Sequence, residues 1–290
     1  IAGGTSQGAG LWVVDVPEAK GRKWPLRQLW VGGRRAVPAR SPNEGFFRIV
    51  GRAAPSVDPA TGKKRDSSKS GFRFRPGDIR RWSRLGDARV IPFYHWETGI
   101  LRVKSVDEPT HTVTFTGEFK WPFWGRQRYY VENVPEALDA PGEWHLDYDE
   151  GRLTYRPRPG EDMGKAAVVA PVLVQLALLA GNPEKGQFVE HVHFRGLSFQ
   201  HTDSNVRPEG HSDWQAAVTV PAVFDAAGAR GCSIQRCEFA HLGGYAIAFR
   251  HGSKDNRIVE NHLHDLAAGG VKIGDPGVPA SEPTETGRNQ

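Results

Sequence analysis

The chain has 290 residues, 38% of them hydrophobic and 24% charged, with a formal net charge of +5 and a pI near 9.3. That length holds one large or two medium domains, and the balance excludes a disordered or fibrous chain. The positive surplus comes without a basic helix or a zinc-type ligand spacing, so no nucleic-acid partner is expected. It suits an acidic polymer such as a uronic-acid polysaccharide, and equally no particular partner. Abundant glycine, proline and tryptophan point to a β-rich, loop-rich chain.

Residues 1–10 are glycine-rich and read as the edge of a repeated β unit. Leu11–Val16 is a strand by its β-branched and aromatic content. Gln28–Arg35 reads as a hairpin around Gly32-Gly33, and Phe46–Val50 as a short strand. Ala53–Pro76 is polar and is expected as a solvated loop, or as a cover over a binding site. Ala88–Tyr94, Ile100–Val106 and Thr110–Phe115 alternate with period two and predict an antiparallel meander. Trp121–Tyr130 is dense in aromatics. Trp121, Trp124 and His95-Trp96 are expected in core or interdomain packing. Gly142–Tyr155 reads as strand, turn and strand, and Pro157–Gly160 closes the region. The longest apolar run, Ala166–Ala180, is broken by Pro171 and Gln175 and is too short to span a bilayer, so no membrane partner is expected.

From there the strands become short and evenly spaced. Setting Ile234 on Ile258, 24 positions on, places Phe239 on Leu263, His241 on Asp265, Leu242 on Leu266, Ile247 on Val271 and Phe249 on Ile273. Val189–Phe199 fits the same template at an offset of 40, with Phe194 on Ile234, Phe199 on Phe239 and His201 on His241. A period in the twenties with β alternation inside each unit is the pattern of a stacked coil, in which no unit buries its inner face alone. A right-handed parallel β-helix is expected from about Ala166 onward. Its inward residues are Phe194, Leu197, Phe199, Ile234, Phe239, Ile247, Phe249, Ile258, Leu263, Val271 and Ile273. Asn256 and Asn261 are expected at left-handed turn positions. Cys232 and Cys237 are read as small packing residues rather than a bridged pair.

Leu26–Asn43, Gln127–Tyr155, Arg158–Met163, Ala240–Arg250 and Asn261–Asp275 resemble segments of glycoside hydrolase family 141. The resemblance runs over nearly all of the chain. It implies an all-β protein in which a right-handed parallel β-helix carries an inserted antiparallel β-rich domain. Residues 1–10 are then the edge of the β-helix, 11–160 the insertion domain and 161–290 the coils. It also implies hydrolysis of plant cell-wall glycans, with fucoside- and xylan-type linkages in view, in a secreted or periplasmic bacterial protein. The chain starts at Ile1 without methionine or signal-peptide pattern and stops at Gln290 soon after a coil. Both ends read as cuts through a longer protein, and some of the family's catalytic residues are expected beyond Gln290.

Glycoside hydrolysis takes two carboxyl groups across the scissile bond, one of them protonated near neutral pH. Asp265 and Asp275 are the catalytic candidates: Asp265 shares the His201–His241 column, and Asp275 follows the inward Ile273. The alternative for each is a turn aspartate capping backbone N–H groups. His201, His241 and Asp265 are expected stacked on one face, about 4.8 Å apart per coil. Asp203, Trp214, Gln215, Tyr245, His264 and Lys272 are candidates to bind sugar alongside the two histidines. Trp214 and Tyr245 would stack on pyranose rings, although core packing explains Tyr245 nearly as well. The column also offers metal-ligand types, but without a short-range ligand spacing no metal or cofactor is expected. A polysaccharide lyase with Lys272 as base, and a non-catalytic carbohydrate-binding β-helix, are the competing readings.

Overall fold

In a computed structural model of the chain, residues 1–57, 60–277 and 285–290 are described. The chain is all-β, with a few short 3-10 turns between strands. It divides into two compact units, residues 1–25, 36–167 and 206–218 forming the first, and 26–35, 168–205 and 219–290 the second. No helix among the described residues is long and apolar enough to cross a membrane.

The first unit contains two large sheets. In one, the strands run Thr5–Gln7, Leu11–Asp15, Arg152–Tyr155, Glu143–Asp147 and Val37–Pro38, antiparallel except for the last pair. Thr5–Gln7, expected at the edge of a β-helix, is thus the antiparallel partner of Leu11–Val13. The other sheet has nine antiparallel strands built around the expected meander, now bounded as Arg89–Pro92, Ile100–Asp107 and Thr112–Phe115. Gly71–Arg73 pairs with Thr112–Thr114 inside the stretch expected as a solvated loop. The reason lies in Phe72 and Phe74, two apolar residues at period two within a polar run, both nearly inaccessible. Phe72 packs against Phe115, Phe123 and Tyr129 at ring separations of 5.6, 5.2 and 4.8 Å. Phe119 stacks on Phe123, and Val90, Leu101, Val113 and Val131 complete this core.

The second unit consists mainly of parallel ladders. Ala177–Ala180, Ala222–Ala227, Tyr245–Phe249 and Val271–Ile273 form one. His193–Arg195, Ser233–Gln235 and Arg257–Val259 form a second, and Ser198–Gln200, Glu238–Leu242 and His262–Leu266 a third. The observed registers are the aligned columns of the sequence: Phe194, Ile234 and Ile258 are paired in turn, as are Phe199, Phe239 and Leu263. Phe199 stacks on Phe239 at 4.7 Å, so like residues lie directly over one another in the core. Three of the eleven residues expected to point inward are substantially exposed, namely Leu197, Val271 and Ile273. Leu197 follows the left-handed Gly196 at a bend. Val271 and Ile273 belong to the outermost described strand of their ladder, with a partner on one side only.

Bends between ladders take left-handed backbone, and the same columns supply it in each repeat. Gly196, Arg236 and Glu260 form one such column, and His201, His241 and Asp265 another. Asn256 and Asn261, expected at these positions, lie one residue after them, following Asp255 and Glu260. Their amides join neighbouring repeats instead. Asn256 Oδ1 accepts from the N–H of Cys232 at 2.9 Å while its Nδ2 donates to the Ala229 carbonyl at 2.8 Å. Asn261 does the same with Cys237 and Ile234. A side chain with one acceptor and two donors can satisfy backbone groups on both sides of a bend, where strand pairing lapses. Both cysteines are buried free thiols.

Candidate functional site

The His201–His241–Asp265 column is assembled in the second unit. The two imidazoles stack with centroids 4.9 Å apart, and His241 Nδ1 lies 2.7 Å from Asp265 Oδ2. Left-handed backbone is costly for most side chains but tolerated better by His and Asp, so the bend itself selects such residues. The side-chain bonds are more specific than the bend requires. Asp265 Oδ2 also accepts from Trp30 Nε1 at 2.9 Å, and Oδ1 from Arg35 Nε at 2.8 Å. Arg35 further donates to the backbone carbonyls of Asp265 and Leu242 and to the Gln28 side chain. Its guanidinium lies 4.7 Å above the Trp30 ring, and Trp30 is edge-on to His201 at 5.1 Å.

Burial alone would raise the Asp265 pKa, but the bonds from His241, Trp30 and Arg35 outweigh it and hold the carboxyl down at about 2. An ionised acceptor on Nδ1 keeps a proton there and leaves His241 Nε2 for another partner. The His201 pKa is lowered too, chiefly by burial and then by the neighbouring His241, so its imidazole favours the neutral form. Its Nδ1 is buried with no hydrogen-bond partner among the described residues. Trp30 and Arg35 are not among the candidates read from sequence. Their signal is the hairpin itself: Trp30–Val31 pairs with Arg34–Arg35 across Gly32-Gly33, both at positive φ, which fixes the indole and guanidinium side by side.

Asp275 lies in a second cluster. Its carboxylate accepts from His251 Nδ1 at 2.6 Å, from the His251 backbone N–H and from Arg250 Nε. Burial opposes these bonds, yet they keep its pKa below the usual carboxylate range. Arg250 also reaches Asp225 Oδ1 at 3.3 Å. Asp225 is almost inaccessible, and burial raises its pKa despite Arg250. Its signal in the sequence is a single acid within the apolar run Ala222–Ala227.

The remaining candidates separate. His264 lies 5.9 Å from His241 and 4.4 Å from His262, with its Nε2 3.3 Å from Glu238 Oε1. Glu238, His262 and His264 have ligand atoms within 4.8 Å of one another, a donor set of the kind that binds a divalent metal. Glu238 is also committed to Ser198 Oγ and Gln200 Nε2. Lys272 Nζ donates to the Val220 carbonyl and lies 5.1 Å from the Tyr245 ring. Tyr245 occupies the space over Gly269, where a Cβ would fall 2.3 Å from the ring. Asp203 is buried, its Oδ1 accepting from the N–H groups of Arg27 and Ser204. Trp214 and Gln215 are exposed and belong to the first unit.

The model of the GH141 insertion domain matches residues 9–158. A solved structure named a glycoside hydrolase is similar with a TM-score of 0.76 at 23% identity, over 99% of this chain and 53% of the other, a likeness of fold. The chain therefore spans about half the length of that protein. No curated protein matches. With the insertion-domain match covering more than half of its residues, the chain belongs to glycoside hydrolase family 141.

Proposed function

We propose that the protein is a glycosidase of bacterial origin, secreted or periplasmic, that hydrolyses plant cell-wall polysaccharide at fucoside- or xylan-type linkages. In this reading the parallel ladders are turns of a right-handed β-helix interrupted by the insertion domain. The observation that carries the proposal is Asp265, a carboxylate kept ionised by Trp30, Arg35 and His241 and flanked by two stacked imidazoles. An ionised carboxylate is what a base or nucleophile requires, and it is unsuited to the acid of the pair. Asp275 is held ionised too and does not supply the protonated member; with Arg250 it orients substrate. His201, His241 and His264 bind sugar hydroxyls, with Tyr245 and Lys272 as further contacts. The bonds around Asp203 favour a loop-fixing role over sugar contact.

The test is product analysis with xylan and fucosylated glycans, comparing the chain with Asp265→Asn. Saturated reducing ends are expected, and kcat should fall by about a hundredfold or more in the variant. An ultraviolet-absorbing unsaturated product would make the protein a lyase. A raised KM at unchanged kcat would reduce Asp265 to a binding contact.

A further inference from the structure

The first unit carries an aromatic cluster at the margin of its core, against which only Tyr94 and Trp121 of the cluster pack. Three segments contribute to it. Tyr94 and Trp96 sit in the turn closed by the Phe93–Thr98 bridge and the bond from Tyr94 N–H to the Glu97 carbonyl. Trp121 and Trp124 come after the core residue Phe119, and Trp214 belongs to the segment 206–218. Tyr94 stacks on Trp121 at 5.6 Å, and Trp124 meets Tyr94 edge-on at 4.7 Å. Trp96 and Trp214 are set perpendicular to Trp121 at 5.6 and 5.2 Å.

Two features separate this cluster from ordinary packing. The Nε1 groups of Trp96 and Trp121 both donate to the backbone carbonyl of Trp214, at 3.0 and 3.2 Å, so their polar edges are spent inside the cluster. Yet Trp96 is 47%, Trp124 36% and Trp214 56% exposed, so the cluster offers indole rings to solvent. Beside the cluster, Glu97 joins the two flanking segments by accepting from Ser212 Oγ and the Asp213 N–H. It is 5% exposed, and its second carboxylate oxygen has no partner among the described residues. Lys120 Nζ lies 5.4 Å from the Trp214 ring. Fixed, exposed rings with a cation at hand match a pyranose, whose C–H faces stack on aromatics.

We infer that Trp96, Trp121, Trp124 and Trp214 form a glycan-binding platform in the insertion domain, which takes the pyranose chain of the polysaccharide. This rests on the glycosidase reading for its ligand class. Binding is measured on the whole chain by tryptophan fluorescence and affinity electrophoresis, with xylan and xyloglucan as neutral probes and polygalacturonate as the acidic one. Wild-type protein is expected to bind at least one of them, and the neutral and acidic arms distinguish which. Trp96→Ala and Trp214→Ala should each weaken binding about tenfold, and Trp214→Phe should restore most of it. Because the latch at residue 214 is a backbone carbonyl, Trp214→Ala keeps it, and circular dichroism should show an unchanged fold. Binding by both alanine variants equal to wild type, or no glycan binding by a wild-type chain that hydrolyses glycan, overturns the platform. Binding that depends on Trp96 and Trp214 in a chain that hydrolyses none of the probes upholds the platform and removes the glycosidase reading instead.

Discussion

Phe72 in the first unit and Phe239 in the second are both fully buried phenylalanines in the middle of a sheet, yet they are buried by different means. Phe72 meets Phe115 and Tyr129 from two other strands and Phe123 from the loop between them, with no common spacing. Phe239 is paired between Phe199 and Leu263, its own equivalents in the neighbouring repeats. The first core depends on how a particular chain path closes. The second depends on repetition, in which each level is completed by the next. A feature that recurs at every level, such as the left-handed bend, therefore aligns its side chains without further specification. The His201–His241–Asp265 column arises in this way.

The largest effect on this contrast is expected from emptying the two cores. Phe239→Ala and Phe72→Ala are each expected to cost about 3–5 kcal/mol. Their footprints in hydrogen exchange should differ. Phe239→Ala should lower protection in Ser198–Gln200 and His262–Leu266 as well as in its own strand. Phe72→Ala should act across Gly71–Arg73, Thr112–Phe115 and Arg128–Glu132. Loss confined to Glu238–Leu242 in the first variant would show that the levels do not depend on one another.

A smaller effect is expected from Asn256→Ala, which strips the Cys232 N–H of its partner in a fully buried place and leaves the Ala229 carbonyl with the Lys254 N–H alone. About 2–3 kcal/mol should be lost in chemical denaturation. A loss near zero would mean that strand pairing alone holds adjacent repeats together.

The smallest effect concerns pH. Folding depresses the Asp265 pKa to about 2, against about 4 in an unfolded chain. The ionised form is the one the fold binds, so this stabilisation is fully present above about pH 4 and is lost as pH falls toward 2. Discounted for its partial exposure, it amounts to about 1 kcal/mol. The stability gap between wild type and Asp265→Asn should therefore be wider at pH 6 than at pH 3. An equal gap at both would remove the ion pair with Arg35 as its source.

The repeat makes the second unit legible because like residues recur at fixed offsets and their pairing needs no knowledge of the rest of the chain. Phe194 with Ile234, Phe239 with Leu263 and His241 with Asp265 are all read this way. Phe72 is hidden because two aromatics in a polar run carry too short an alternation to mark a strand. Its burial comes from partners distant in sequence. Exposure of the tryptophans is equally out of reach, since composition gives the same aromatic residues to a core as to a surface.

At the site the division is similar. The period, the parallel registers, the hairpin at Gly32-Gly33 and the stacking of His201, His241 and Asp265 are all written in the order of residues, because each depends on local spacing. The chemical state of Asp265 is not. Trp30 and Arg35, remote in the chain, surround the carboxylate with donors and keep it charged, while burial raises the pKa of Asp225. Spacing fixes which residues align, but the charge a carboxyl carries is set by the donors and the solvent around it, and those come from the fold.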